Sequence, residues 1–388
     1  MHIITVNGKK TVNAFHELPY FIYGDDPNWV PPMRMMVESI FDPQRNNSLT
    51  SGDVCRWLLM DHGKVIGRIA AFCVPSYANS FDQPTGGIGF FECINNQVAA
   101  NQLFDTACAW LKGLGMEAAD GPINIGENFF NWGLLVDGFV QQSFGMPYNQ
   151  PYYRSLFETY GFKTYYEQYS YDLNITSPDL PERFWKIAAW TAKKPGYRFE
   201  SFLFSEKERF IQDFIEIYEQ AWSKHDNYKK IEPEDIQAML SQSKMLIEED
   251  FIWFVYHEDK PIAFFMMIPD MNQLFKHFRN GKLNLLKILK LLYLKKKKVV
   301  NRCRVLVMGV IPKFQKSGIE SAIFYQLRQV LLRKDWYNEM ELSWVGDFNP
   351  KMISIFKAVG GKQTKTHLTL RYLFDRQKEF KRSPIIED

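Results

Sequence analysis

The chain of 388 residues has little cysteine: five, at positions 55, 73, 93, 108 and 303, and no Cys-x-x-Cys pair. An odd, scattered set argues against a disulfide framework or a structural zinc site and fits a reducing cytosol. Histidine is also scarce, with seven residues and no metal-ligand spacing, so metal catalysis is not expected. No stretch approaches the ~20 uninterrupted apolar residues that span a bilayer. The first ten residues lack the apolar run of a secretion signal. These absences predict a soluble cytoplasmic protein, attached at most to a membrane surface.

Acidic residues are missing from one region altogether. Residues 271–304 contain no Asp or Glu and eleven Lys or Arg, so a net charge of +3 leaves −8 for the remainder. One local basic patch on an otherwise acidic chain argues against a nucleic-acid partner. Within it, Lys282–Lys298 reads as a helix on which Leu285, Leu286, Ile288, Leu289, Leu292 and Tyr293 share one broad arc, with Lys287 and Lys290 opposite. An apolar face flanked by Lys suits an anionic membrane surface. It equally suits a helix packed on its own domain with a solvated Lys edge.

The rest is ordinary globular composition, 46% hydrophobic and 23% charged, which excludes wholesale disorder. The length exceeds the roughly 100–200 residues of one domain, and a weak repeat near 200 residues divides it. Strand, turn and strand at Val54–Met60, Asp61–Lys64 and Val65–Phe72 recur as Phe251–Tyr256, His257–Lys260 and Pro261–Ile268. A short helix stopped by glycine, Pro151–Phe157 before Gly161, recurs as Pro350–Phe356 before Gly360. The repeat predicts two similar units in tandem, residues 1–178 and 179–388, the second with a basic amphipathic insertion at 271–298. The turn residues His62 and His257 are expected to be solvated.

In the second unit, the strand Arg304–Ile311 leads through Pro312–Glu320 into a helix at Ser321–Arg333. A strand, a short loop with Lys and Gly, and a helix amino terminus make an anion cradle. The loop Gln315-Lys316-Ser317-Gly318-Ile319-Glu320 resembles the Gln/Arg-x-x-Gly-x-Gly/Ala loop of the GNAT (Gcn5-related N-acetyltransferase) superfamily. In that family the loop wraps the pyrophosphate of an acyl-coenzyme A. Asn349 through Gly360-Gly361 resembles the family's terminal helix. Two positions depart from the pattern: Glu320 replaces the last Gly/Ala, and Phe356 stands where many relatives carry Tyr. The first unit has Phe157 there and no loop glycine in Glu92–Gln97, which implies that it does not bind coenzyme A in the usual way.

Trp29-Val-Pro-Pro32, Gly121-Pro-Ile-Asn124, Leu134–Phe139, Pro147–Tyr153 and Glu341–Trp344 with Asn349 resemble the tandem-GNAT proteins related to bacterial ceramide synthase. The resemblance implies an α/β (α+β) fold of two GNAT-like units, each a mixed, mostly antiparallel sheet flanked by helices. It further implies acyl transfer from acyl-CoA, without a metal, to the amine of a sphingoid-like base at the inner membrane face. A small soluble amine, or acyl-CoA or lipid binding without catalysis, are the alternatives. Backbone N–H groups at Met308 and Val310 would polarise the carbonyl, with Gln315–Ile319 and Asn349 holding the cofactor end. Glu341, Asp347 and Ser343 are the candidates for proton handling. Trp222, His225, Trp344, Tyr148, Asn149 and Tyr152 are the candidates for the acceptor site, with the aromatics of 128–153 as groove walls.

Overall fold

A computed structural model describes residues 1–126, 130–222, 231–244, 246–278 and 280–386. The first half runs β1 (His2–Thr5), α1 (Lys9–Tyr23), α2 (Arg34–Ile40), β2 (Asp53–Asp61), β3 (Lys64–Cys73) and α3 (Pro75–Ala78). It continues with β4 (Thr85–Cys93), α4 (Gln97–Gly113), β5 (Ala118–Gly121), β6 (Leu134–Asp137), α5 (Tyr153–Tyr160) and β7 (Lys163–Asn174). The second half opens with α6 (Glu182–Thr191), β8 (Tyr197–Ser201), α7 (Lys207–Trp222), α8 (Pro233–Ser243), β9 (Ile252–His257), β10 (Lys260–Pro269) and α9 (Asn272–Phe275). Then come α10 (Leu285–Lys296), β11 (Arg302–Val310), α11 (Ile319–Arg333), β12 (Glu339–Gly346), α12 (Pro350–Ala358) and β13 (Lys362–Leu373).

Local chemistry accounts for the repeated pieces. In α4 the side chain of Asn96 accepts from the Ala99 amide, capping the amino end. Its residues Leu103, Phe104, Ala107 and Leu111 recur at helical spacing and are fully buried. The helices α5 and α12 both stop at a left-handed glycine, Gly161 at φ 116° and Gly360 at φ 104°, a conformation that a Cβ would disfavour. His62 lies in the β2–β3 turn with a solvated ring, as expected. His257, at the end of β9, is half-buried against Tyr197 and Phe314.

All strands join one mixed sheet in the order β1-β2-β3-β4-β5-β13-β7-β12-β11-β10-β9-β8, with β6 pairing β13 off this path. The fold is the expected α/β arrangement, a mostly antiparallel sheet flanked by helices. Its two halves exchange strands at the centre: β13 from the end of the chain pairs with β5 of the first half, while β7 of the first half pairs with β12 of the second. Between them β7 and β13 run antiparallel from Lys362↔Asp172 to Arg371↔Lys163.

One face of this centre is polar and buried. Strand side chains alternate in direction, and Lys365, His367, Thr369 and Arg371 of β13 all sit below the surface. Each has a partner across the sheet or above it. Arg371 grips Asp120 of β5 through Nε and Nη2, at 2.6 and 2.7 Å. Thr369 donates to Gln168 at 3.0 Å, His367 Nε2 lies 3.2 Å from the Pro147 carbonyl, and Lys365 pairs with Glu341. Burying these groups is tolerable because nearly every one is answered.

Because a buried bidentate pair loses most when one member is removed, Asp120→Ala is expected to destabilise the protein by about 3–5 kcal/mol. Urea denaturation checks this; a loss below about 1 kcal/mol would show that the exchanged strand does not depend on the pair.

Candidate functional site

The strands β11 and β12 are parallel and pair only from Arg302↔Glu339 to Val305↔Leu342, although both continue beyond. The register on the other side of β11 shifts at the same place, with Leu306 left without a partner on β10. Such a bulge bends a strand and increases its twist, so the two strands part. The Ile311 amide donates to Ile262 on β10 at 3.0 Å. Since successive peptide groups point to opposite sides of a strand, Val310 and Met308 present theirs to the opening.

Below the opening, the loop 312–318 turns into α11. Lys316 at φ 66° and Gly318 at φ 85° are both left-handed, while the amides of Gln315 and Ser317 donate back to the Pro312 and Phe314 carbonyls. Gln315 donates from Nε2 to the Val310 carbonyl at 3.1 Å, and its Oε1 accepts from Lys351 of α12 at 3.2 Å. Ser317 Oγ donates to the Phe314 carbonyl. The Ile319 side chain is core, so only its backbone can face the loop. Loop and α12 border a cleft of about 740 Å³, lined by Lys316, Gly318, Glu320, Lys351 and Ile386 among others. Asn349 caps α12 by accepting from the Met352 amide at 3.1 Å, so its oxygen is engaged in the helix end. Glu320 is buried in the first turn of α11, where it favours the helix dipole, and Lys351 stands 4.0 Å away as its counter-charge. Phe356 is buried edge-to-face against Tyr171, with ring centroids 5.7 Å apart.

The expected proton-handling residues do not gather in this opening. Glu341 and Ser343 share one face of β12, as their spacing requires, but that face is the buried centre of the sheet. Glu341 is fully enclosed, paired with Lys365 and accepting from Ser143 Oγ at 2.7 Å. Burial alone would raise its carboxyl; the charges of Lys365 and Arg302 and two hydrogen bonds outweigh that and hold it at about 2. A closed, strongly ionised carboxylate is a poor proton acceptor, which corrects its expected role. Ser343 accepts from Arg304 Nε at 2.7 Å, and Arg304 also donates to the Phe144 carbonyl. Asp347, just beyond β12, accepts from the Glu167 amide on β7 and pairs with Arg382.

The aromatic and polar residues expected around an acceptor lie mostly in the first half. Tyr148 donates to Asp26 at 2.6 Å, and Tyr152 donates to the Cys93 carbonyl at 2.8 Å. Asn149 is buried and spent on the Leu135 amide and carbonyl, which marks it as a loop anchor rather than a substrate contact. Trp344 is half-buried and stacks on Tyr166 at 5.8 Å. His225 and the side chain of Trp222 lie outside the described residues. Charge pattern concealed the central cluster: Arg302 and Arg304 of the basic segment turn inward, Arg302 onto buried Asp270 at 2.7 Å. Lys365 and His367 carried no motif and were not anticipated.

The basic segment otherwise forms α10 as expected, and its apolar arc faces outward. Leu285, Leu286, Leu289 and Tyr293 are each more than half exposed, whereas Leu291, on the opposite side, is buried. Among the described residues, no helix is long and apolar enough to cross a membrane, and no group of three acidic, His or Cys side chains is placed to hold a metal.

No protein-family profile matches the chain. It is 26% identical over 371 residues to Protein YghO of Escherichia coli K12, spanning 94% of this chain and 93% of that one. It is 26% identical over 379 residues to the bacterial ceramide synthase of Caulobacter vibrioides, spanning 95% and 96%. In structure it superposes on a tandem GNAT protein from the clavulanic acid biosynthesis pathway with a TM-score of 0.57 at 9% identity, covering 97% of this chain and 99% of that one.

The central cluster carries a pH signature. Burial pushes the His367 imidazole down to about 4, against smaller opposing pulls from the Pro147 carbonyl and Glu341. The unfolded ring takes up its proton near 6.5, so the folded state loses stability as pH falls from 6.5 toward 4, by roughly 3 kcal/mol. His367→Gln is expected to flatten the denaturation midpoint across that window, while the Glu341 contribution is lost only below about 4.5. An unchanged pH slope in the variant would contradict a neutral buried ring.

Proposed function

We propose that this chain, a protein of tandem GNAT-like fold, is an acyl-CoA-dependent N-acyltransferase, and that its acceptor is a long-chain, sphingoid-like amine reached at a membrane face. The observation that carries the reading is a parted strand, β11, that leads directly into a left-handed Lys–Gly loop and a helix amino terminus, the last two bordering one cleft. A diphosphate needs the loop and helix end, and a thioester carbonyl needs directed amides within reach of them. The bacterial ceramide synthase resemblance over nearly the full chain supports the acceptor class.

In this reading residues 179–388 hold the donor and residues 1–178 shape the acceptor side. Gln315, Lys316, Ser317, Gly318 and the Ile319 amide hold the diphosphate, with Lys351 added as a cation and Asn349 setting the end of α12. The amides of Met308 and Val310 bind the thioester oxygen. The neutral amine attacks the carbonyl carbon, a C–N bond forms, and the C–S bond breaks with release of the thiolate. Asp347, beyond the end of β12, accepts the ammonium proton directly or through water, and Glu341 and Ser343 act only by fixing the sheet beneath. Phe356 has no hydroxyl to protonate the thiolate, so that proton comes from solvent. Trp344, with Tyr148 and Tyr152 from the first half, is assigned to the acceptor side. Glu320 favours a second reading, a protein that binds the thioester without turnover, because a buried carboxylate in the cleft weakens an anion's hold.

The two readings separate in one assay. Incubation with a long-chain acyl-CoA and sphinganine, followed by mass spectrometry, is expected to show the amide, and Gly318→Val to raise the KM for acyl-CoA at least tenfold. Tight acyl-CoA binding with no amide from any amine would establish the non-catalytic reading. Asp347→Asn is expected to lower kcat by about 10²-fold or more.

Membrane attachment we assign to α10. Its exposed Leu and Tyr side chains lie between Lys282, Lys290 and Lys295–Lys298, all solvent-facing, which matches the headgroup boundary of an anionic bilayer at the cytoplasmic face. A buried Leu contributes roughly 1.5–3 kcal/mol, so Leu286→Glu with Leu289→Glu is expected to lower partitioning to phosphatidylglycerol vesicles more than tenfold in sedimentation. Salt-insensitive or unchanged pelleting would defeat the assignment.

A further inference from the structure

Beyond β13 the chain leaves the sheet but not the molecule. Residues 376–386 cross back over the first half, where Arg376 donates to the Gly161 carbonyl at 3.0 Å and Lys163 stands over the Phe380 ring at 5.5 Å. The Ser383 amide then donates to the Tyr165 carbonyl on β7 at 3.0 Å, and the Ile386 amide to the Phe348 carbonyl at 2.8 Å. Phe348 lies in the turn between β12 and α12. The segment thereby arrives at the cleft bordered by the Lys316–Gly318 loop and α12, and Ile386 forms part of its wall.

Both oxygens of Asp347 are engaged in this arrangement. Oδ1 accepts from the Glu167 amide at 3.1 Å, and Oδ2 is paired with Arg382. A carboxylate held this way has no oxygen ready for an ammonium proton until the guanidinium moves. Ile386 acts on the other substrate: an aliphatic wall gives a diphosphate no hydrogen bond in exchange for the water it excludes. Arg382 and Ile386 lie four residues apart, so one movement frees carboxylate and cleft together. That movement is not costly. Among the described residues, two backbone hydrogen bonds fasten 380–386 to the rest of the protein. Arg382 is 51% exposed, and ion pairs so exposed are weak. Segments held by few, exposed contacts open most readily.

We infer that residues 380–386 form a strap whose closed position, seen here, masks Asp347 and narrows the donor cleft, and that acyl-CoA displaces it on entry; this rests on the acyl-CoA reading of that cleft. Such a strap orders the reaction. The carboxylate becomes free only once the donor has arrived, so the amine loses its proton only where a carbonyl is present to be attacked. A ligand that binds only the open form has its affinity lowered by the closed fraction, and loosening the strap raises it.

Calorimetric titration with coenzyme A of the full chain, of Arg382→Gln and of Ile386→Gly reads that fraction. Both variants are expected to bind roughly 3- to 30-fold more tightly than the unmodified chain. Hydrogen exchange read by mass spectrometry gives the direction of the movement. Saturating coenzyme A is expected to speed exchange across 377–386 of the unmodified chain while slowing it across 312–320. Weaker binding in the variants, or slower exchange across 377–386, would show that the segment completes the donor site and would overturn the strap. Equal affinities in all three chains would overturn it with the donor reading intact. No binding in any of the three would remove the donor reading, and the strap with it.

Discussion

The ion pair between Lys365 and Glu341 is the constraint around which the molecule is arranged. It joins the last strand to β12, beside the opening between β11 and β12, with neither side chain exposed. A lone buried charge costs several kcal/mol, so each partner must be in place for the other to be tolerated. The requirement spreads outward. Ser143 answers Glu341 from the loop above, Phe144 offers its amide to Asp270 at 2.7 Å and its carbonyl to Arg304, and Pro147 offers its carbonyl to His367. The loop from the first half is thereby fastened over strands of the second, and the aromatic motif at Pro147–Tyr153 is carried to a defined place. Gly145 belongs to this fastening: at φ 88° a Cβ there would lie 2.6 Å from Arg304 Nη1.

Both halves keep the mechanical part of the fold, a bulged strand parting from its parallel neighbour (β4 from β5, β11 from β12), and differ in the segment that the bulged strand leads into. In the second half the loop after the strand supplies left-handed residues and a helix end. In the first, β4 leads through Ile94-Asn95-Asn96 into α4, whose amino end is satisfied internally by Asn96. A capped helix start has fewer free amides to offer a phosphate. The duplicated strand geometry thus survives where the left-handed loop does not.

Much of this was legible because it is local. The hairpins β2–β3 and β9–β10 arise from apolar runs around a polar turn, and α5 and α12 from short apolar helices ended by glycine. The Gln315–Gly318 loop was legible as a turn between strand and helix. The features that escaped depend on partners distant in sequence. Glu341 reads as a candidate proton acceptor because its true partners are remote: Lys365 lies 24 residues on and Ser143 lies 198 back. Arg302 and Arg304 read as part of a surface patch because alternation along a strand cannot say which neighbour covers a face. For α10, periodicity found the apolar arc but not its direction, since packing through Leu291 on the narrower side is decided by the domain beneath.

The crossing of β7 and β13 bears on how the polypeptide leaves the ribosome. Until residues 362–373 emerge, β5 and β7 each lack the neighbour on one side that β13 supplies, leaving a border of unpaired amides and carbonyls there. The amino-terminal portion can collapse early but cannot finish its own sheet from its own strands, so during synthesis those borders stay open to pairing with other chains. A nascent chain stalled before Lys362 would be left permanently adhesive, which makes completion of translation, rather than either half alone, the unit on which quality control acts.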